Sequence, residues 1–145
     1  MKIQIKKLNE KAKLPYSGSE RAAGYDLYAC LEEKELRIPP HGTAMAGTGL
    51  AAAIPEGYFG GIFARSGLAA KQGLRPANCV GVVDADYRGE IKVALHNDTD
   101  EERAVADGER IAQLVVLPFL TLEFELTEEL EETSRGDGGF GHTGW

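Results

Sequence analysis

Cysteine is scarce, with two residues in a chain of 145. Cys30 and Cys79 stand in apolar, β-like contexts without metal-ligand spacing. That excludes a disulfide scaffold and a zinc motif, and both thiols are expected to be reduced and buried, as in a cytoplasmic protein. Long apolar runs are also missing. No stretch approaches the ~20 residues that a helix needs to cross a bilayer, so no membrane partner is expected. The first residues, MKIQIKKLNEKAKLP, include basic side chains but no apolar segment behind them, unlike a signal peptide. Cations are in deficit, with 16 Lys and Arg against 23 Asp and Glu and a net charge of −7. That balance argues against a general nucleic-acid binder. It leaves room for a small phosphorylated molecule, which needs only a local cluster of cations and amides. No internal repeat and no interdomain linker interrupts the chain.

The 43% hydrophobic and 27% charged composition is that of a globular protein, and the length suffices for one domain with its own core. Glycine is plentiful, at 18 residues. Most of it lies in short polar segments between short apolar runs. That pattern predicts many short strands joined by tight turns, an all-β fold.

The stretch Asn78–Asn97, NCVGVVDADYRGEIKVALHN, organises the rest. Asn78–Val83 is an apolar run ending in β-branched residues, and Glu90–Asn97 alternates, with Ile91, Val93 and Leu95 on one face. Between them, Asp84–Gly89 carries turn residues. A tight hairpin is expected, with Gly89 at positive φ. Asp84 would then sit where a strand leaves the core, placed to orient water or take a proton. Taken alone, Asp84 and Asp86 read better as turn aspartates, the commoner use of the residue.

Elsewhere, strands are expected at Lys2–Leu8, Ala22–Cys30, Leu36–Ile38, Thr43–Ile54 (broken by Gly47 and Gly49), Tyr58–Ala64, Ile111–Leu117 and Phe119–Leu126. Asp26 interrupts an apolar strand, with Gly24 leaving room for close approach. Such an acid is paired, functional, or on a solvated edge. The paired glycines Gly60 and Gly61 point to a bulge or a close backbone contact. One helix is predicted, Gly67–Gln72, capped by Ser66 and ended by Gly73. Its first amides, with Arg65 and the Ser66 hydroxyl beside them, offer an anion site, or else a plain capped helix with a solvated Arg. Gln113 is the one polar residue of its strand, either a satisfied core amide or a donor to a ligand oxygen.

The last residues, Arg135–Trp145, hold five glycines and too few apolar groups to fold alone. They also hold an Arg, an aromatic, a His and a Thr. Glycine amides can wrap phosphate and an aromatic ring can lie on a base. The segment therefore reads as a lid that orders on a ligand.

Five segments together resemble the trimeric dUTPase family (deoxyuridine triphosphate nucleotidohydrolases). They are AAGYDL at 22–27, ARSGLAAKQGL at 64–74, GVVDADYRGE at 81–90, GERIAQLVV at 108–116 and RGDGGFGHTG at 135–144. They occur in the family's order and span nearly the whole chain.

The resemblance implies a jelly-roll-like β-barrel with one short helix, residues 1–126, followed by an acidic linker and a glycine-rich arm, residues 127–145. It implies a homotrimer with sites between subunits, and hydrolysis of dUTP to dUMP and pyrophosphate with Mg²⁺. By position it makes Asp84 the residue that orients water toward the α-phosphorus, and Tyr87 the ring under deoxyribose. Asn78, with the backbone of Gly81, Val82, Val83 and Lys92, would read uracil. Arg65, Ser66, Gly67 and Gln113 would hold phosphate. Asp26 would lie near metal-bound water without ligating the ion directly. Arg135, Gly141, His142 and Thr143 would close on the phosphates and Phe140 on the base. The chain departs from the family's usual Ser at His142, where an imidazole would make the phosphate contact pH-dependent. The same fold also serves dCTP deaminases, which need a Glu as acid and base, and could serve a non-catalytic nucleotide-binding or regulatory module.

Overall fold

The computed structural model describes residues 1–139. Eleven short strands and one helix succeed one another: β1 (Gln4–Lys7), β2 (Tyr25–Tyr28), β3 (Glu35–Ile38), β4 (Thr43–Gly47), β5 (Leu50–Ala53), β6 (Tyr58–Phe63), α1 (Ser66–Gln72), β7 (Leu74–Pro76), β8 (Gly81–Val83), β9 (Lys92–Asn97), β10 (Arg103–Ala106) and β11 (Arg110–Pro118). The paired strands are antiparallel and fall into four sheets, ordered β1-β5, β10-β3, β2-β11-β6-β8 and β4-β9-β7. The fold is all-β and jelly-roll-like, as expected, but among the described residues the sheets do not close into a barrel.

One core joins all four sheets. Leu27, Ile38, Ala52, Ile62, Leu95, Val105, Ile111 and Leu114 belong to a single buried cluster, and α1 adds Leu68. Strand alternation puts these residues inward. On β9, Val93, Leu95 and Asn97 are buried, while Lys92 is exposed and Ala94 and His96 are half-buried.

Four sequence expectations give way. First, Asp84–Gly89 is not a hairpin. β8 pairs with β6, and β9 pairs with β4 and β7, so the two strands belong to different sheets. Gly89 is not among the positive-φ residues. It is needed for room instead, since a Cβ there would meet the Tyr87 ring and hydroxyl. Second, Ser66 is the first helical residue of α1 and Arg65 is the cap, with no side-chain cap bond. Gly73 does end the helix, at φ 66° in the left-handed region. Third, Phe119–Leu126 forms no strand. Its apolar and polar residues alternate, but no strand of the described chain pairs with it, and Phe124 and Leu126 are almost fully exposed. Fourth, neither thiol is fully buried: Cys30 is half-buried and Cys79 is exposed. Burial pushes the Cys30 thiol above its ordinary range.

Asn97 is one of two fully buried polar side chains among the described residues. Its amide nitrogen donates to the carbonyls of Glu101 (2.7 Å), Ile38 (3.1 Å) and Pro39 (3.2 Å). Its oxygen accepts the backbone N–H and the hydroxyl of Thr99, at 3.0 and 2.8 Å. One amide thus fixes two loops to the end of β9. Asn97→Ala strips those carbonyls of a donor in a dry site and is expected to cost on the order of 2–3 kcal/mol. Urea unfolding at fixed protein concentration measures it. An unchanged midpoint would show the amide to be dispensable.

Candidate functional site

Two clusters of the expected residues form in the fold, and they lie apart. The first lines a cleft of about 300 Å³ whose walls include Asn78, Gly81, Val82, Val83, Asp84, Tyr87, Glu90 and Lys92. β8 leaves the core at buried Val83, so exposed Asp84 stands at the strand's end. Behind it the chain turns, with the Tyr87 N–H donating to the Asp84 carbonyl at 3.1 Å. The Tyr87 hydroxyl donates to the Glu90 carbonyl at 2.9 Å. Arg88 braces the turn from within, donating to the carbonyls of Ala85 and Tyr87 at 2.6 and 2.9 Å. Cys79, at φ 62°, makes the bend that brings exposed Asn78 to the cleft. The cleft is therefore walled by fixed backbone along β8, by one aromatic ring and by one carboxylate at its rim. Met45 and Ala94 complete it from the neighbouring sheet.

The second cluster is cationic. Asp26 on β2 is largely buried, and both its oxygens are taken. Arg65 Nε donates to one oxygen at 2.8 Å, and an Arg110 guanidinium nitrogen to the other at 3.2 Å. Two guanidiniums on one carboxylate leave a net positive charge beside the first turn of α1, where Ser66 and Gly67 sit exposed. Asp26 is thus a paired acid. Arg110 is the residue that sequence reasoning missed. Its only sequence signal was a cation at the head of an apolar strand.

Gln113 lies on β11, opposite Asp26 on one side and Phe63 on the other. Its amide nitrogen donates to the Ala64 carbonyl at 2.9 Å. Its oxygen packs on Gly24, where a Cβ would come within 2.2 Å. The close approach expected at Gly24 is thus made by Gln113. No residue of this cationic cluster lines the Asn78–Lys92 cleft.

Arg135 lies in an exposed turn, its Nε donating to the Gly138 carbonyl at 2.8 Å, so the structure does not bring it to either cluster. Phe140, Gly141, His142 and Thr143 lie outside the described residues. Among the described residues, no group of three or more His, Cys, Asp or Glu could hold a metal. Hard oxygen donors are offered singly, by Asp84 and by the already paired Asp26. That set suits Mg²⁺ carried by phosphates and water better than a cage of side chains.

The dUTPase family model matches residues 10–144. The deoxyuridine 5'-triphosphate nucleotidohydrolase of Syntrophotalea carbinolica is 48% identical over 143 residues, covering 99% of this chain and 97% of that protein. The protein of the same name from Desulfitobacterium hafniense is 50% identical over 145 residues, covering 99% and 95%. Among solved structures, the Staphylococcus bacteriophage 80alpha dUTPase with dUpNHpp superposes with a TM-score of 0.88 at 30% identity, covering 99% of each chain. A variant dUTPase of phage phi11, described with a structural Mg(II) ion, superposes at 0.80 with 26% identity, covering 91% of this chain and 100% of that one. A family match over nearly the whole length and relatives close to half identical agree with the cleft and the cationic cluster: the chain belongs to the dUTPase family.

Proposed function

We propose that this chain hydrolyses dUTP to dUMP and pyrophosphate. The observation that carries the reading is the cleft itself. It puts a strand edge with fixed amides and carbonyls, an aromatic ring and an exposed carboxylate within one small volume. A strand edge offers a rigid donor and acceptor pattern to a flat base. Gly81, Val82 and Val83, with Asn78 and the backbone of Lys92, serve uracil. Tyr87 lies under the deoxyribose, where its ring leaves no room for a 2′-hydroxyl. Asp84 orients a water in line with the α-phosphorus and accepts its proton.

Phosphoryl chemistry asks the protein chiefly for position and charge. Arg65, with the amides of Ser66 and Gly67, and Gln113 hold the phosphate oxygens. The arm residues Arg135, Phe140, Gly141, His142 and Thr143 close over the nucleotide. Mg²⁺ carried with the nucleotide would supply charge neutralisation to the leaving pyrophosphate. Asp26 keeps Arg65 aligned and reaches the ion through water at most, because both its oxygens face guanidiniums.

The working unit is a homotrimer with sites shared between chains. Val83 pairs with Gly60, so Asp84 comes next toward Phe59, at the start of β6. Arg65 lies beyond the other end of that strand. Six residues of extended chain separate these points, about 20 Å at ~3.4 Å per residue. A triphosphate alone spans much less than that, which supports cations supplied by a neighbouring copy. The uncovered apolar alternation of Phe119–Leu126 supports the same reading, since exposed apolar faces of this kind mark interfaces.

Three sets of variants test the reading. Asp84→Asn is expected to bind dUpNHpp as the parent does and to lose roughly 100- to 10,000-fold in pyrophosphate release, the span of a general base. Near-parental turnover would remove Asp84 from its role. Deleting Ser134–Trp145 is expected to leave the circular dichroism spectrum and unfolding midpoint unchanged and to abolish most turnover. An active truncated protein would refute the arm. Asp84→Asn and Arg65→Ala chains, each inactive, are expected to regain activity when unfolded and refolded together, because random assembly makes roughly a quarter of shared sites whole. No recovery would place both groups in one copy's site.

A further inference from the structure

The segment Asp84–Ile91 crosses between sheets, and it is tied down at its foot. Glu90 Oε1 accepts the backbone N–H of Gly49 at 2.8 Å, and the Glu90 carbonyl accepts the Tyr87 hydroxyl at 2.9 Å. One residue thus joins the Gly47–Gly49 turn to the Tyr87 ring. Its neighbour completes the seam. The Ile91 N–H donates to the Leu50 carbonyl at 2.8 Å, and the Ile91 carbonyl accepts the hydroxyl of buried Thr48 at 2.7 Å.

The turn is shaped to receive this carboxylate. A Cβ at Gly47 would lie 2.5 Å from Glu90 Oε1, so any side chain there would push the carboxylate off the Gly49 amide. Gly49 holds φ 65°, the left-handed conformation that glycine adopts without strain. Lys92 Nζ stands 3.5 Å from the other carboxylate oxygen. The Glu90 side chain is only 26% exposed, and it lies at the wall between the base cleft and a second, more polar cleft.

We propose that Glu90 is a positioning residue for the reaction. Its carboxylate, seated in the Gly47–Gly49 turn, holds the Glu90 carbonyl. That carbonyl sets the Tyr87 ring, and the Tyr87 amide in turn holds the Asp84 carbonyl at 3.1 Å. For its kinetic consequence the proposal rests on dUTP hydrolysis with Tyr87 under the sugar. What the seat requires is an acceptor of the right length, not a charge. Glutamine therefore fills it and alanine does not. A displacement of about 1 Å in such a support can cost on the order of 100-fold in rate.

The test uses full-length Glu90→Ala, Glu90→Gln, Gly47→Ala and the double variant Gly47→Ala with Glu90→Ala. It measures kcat and KM for dUTP and UTP, the unfolding midpoint, and amide hydrogen exchange across Asp84–Ile91. Glu90→Ala is expected to lower kcat on dUTP by roughly 10- to 100-fold. KM should change less, UTP should gain ground relative to dUTP, and exchange should quicken in Asp84–Ile91. Glu90→Gln is expected to restore all of these. Gly47→Ala, which keeps every hydrogen-bonding group, is expected to copy Glu90→Ala, and the double variant to add nothing further. Should Glu90→Ala fail to fold, Gly47→Ala against the parent gives the same readings. Parental kcat, selectivity and exchange in Glu90→Ala, or in Gly47→Ala where that variant stands in, would overturn the proposal. So would equal damage from alanine and glutamine. If the parent itself releases no pyrophosphate from dUTP, the functional reading fails. Exchange then decides the seat alone, faster exchange upholding it and unchanged exchange overturning it.

Discussion

In the proposed reaction Asp84 orients one water and has to be held still, yet it stands on a segment with no ladder of its own. β8 and β9 pair with other strands, so Asp84–Ile91 spans two sheets without either partner running beside it. Order there comes from single bonds with specific geometry: the Tyr87 N–H on Asp84, the Tyr87 hydroxyl on Glu90, Arg88 on two carbonyls, and the Glu90 and Ile91 contacts with the β4–β5 turn. A net hydrogen bond contributes only about 1 kcal/mol, yet each of these also fixes an angle. The glycines of the region act through room. Gly47 admits the Glu90 carboxylate and Gly89 admits the Tyr87 ring.

Charge is handled by a different device at the other end of β6. Arg65 and Arg110 are pinned by one carboxylate on β2, which is itself largely buried. A largely buried acid with two cationic partners is satisfied, and the surplus positive charge faces outward. If this cluster holds phosphate as proposed, the guanidiniums are already aligned for it, and a fork held in place loses less freedom on binding than a free side chain does. Gln113 works the same way. Its amide nitrogen is fixed on the Ala64 carbonyl and its oxygen rests on Gly24, so its orientation is set by the sheet.

Much of this was legible in the sequence, because the signals were local. Alternation located β9 and told its inner face correctly, since burial on that strand repeats every second residue. The αL end of the helix at Gly73 and the close approach at Gly24 could be read from what glycine permits. What failed was non-local. Alternation names a strand's faces and not its partner, so two strands joined by a short turn read as a hairpin although each pairs elsewhere. Gly89 was given a dihedral role when the Tyr87 ring was the reason. The partnership of Asp26 with Arg110 joins positions far apart in the chain, and no local pattern could announce it.

Phe119–Leu126 is the instructive case. Its pattern is that of a half-buried strand, and the pattern is physically sound, yet β11 ends at Pro118 and nothing in the described chain covers the residues after it. A strand is stable only beside another strand, so a sequence can encode one whose partner belongs to another copy. The separation of Asp84 from Arg65 along β6 points the same way independently. One is a geometric demand of the proposed chemistry and the other an apolar surface without cover, and the proposed assembly would answer both. With the proposed homotrimer, the chain is written partly for contacts that a single copy does not make, and the alternating stretch after β11 is the one that a neighbour would cover.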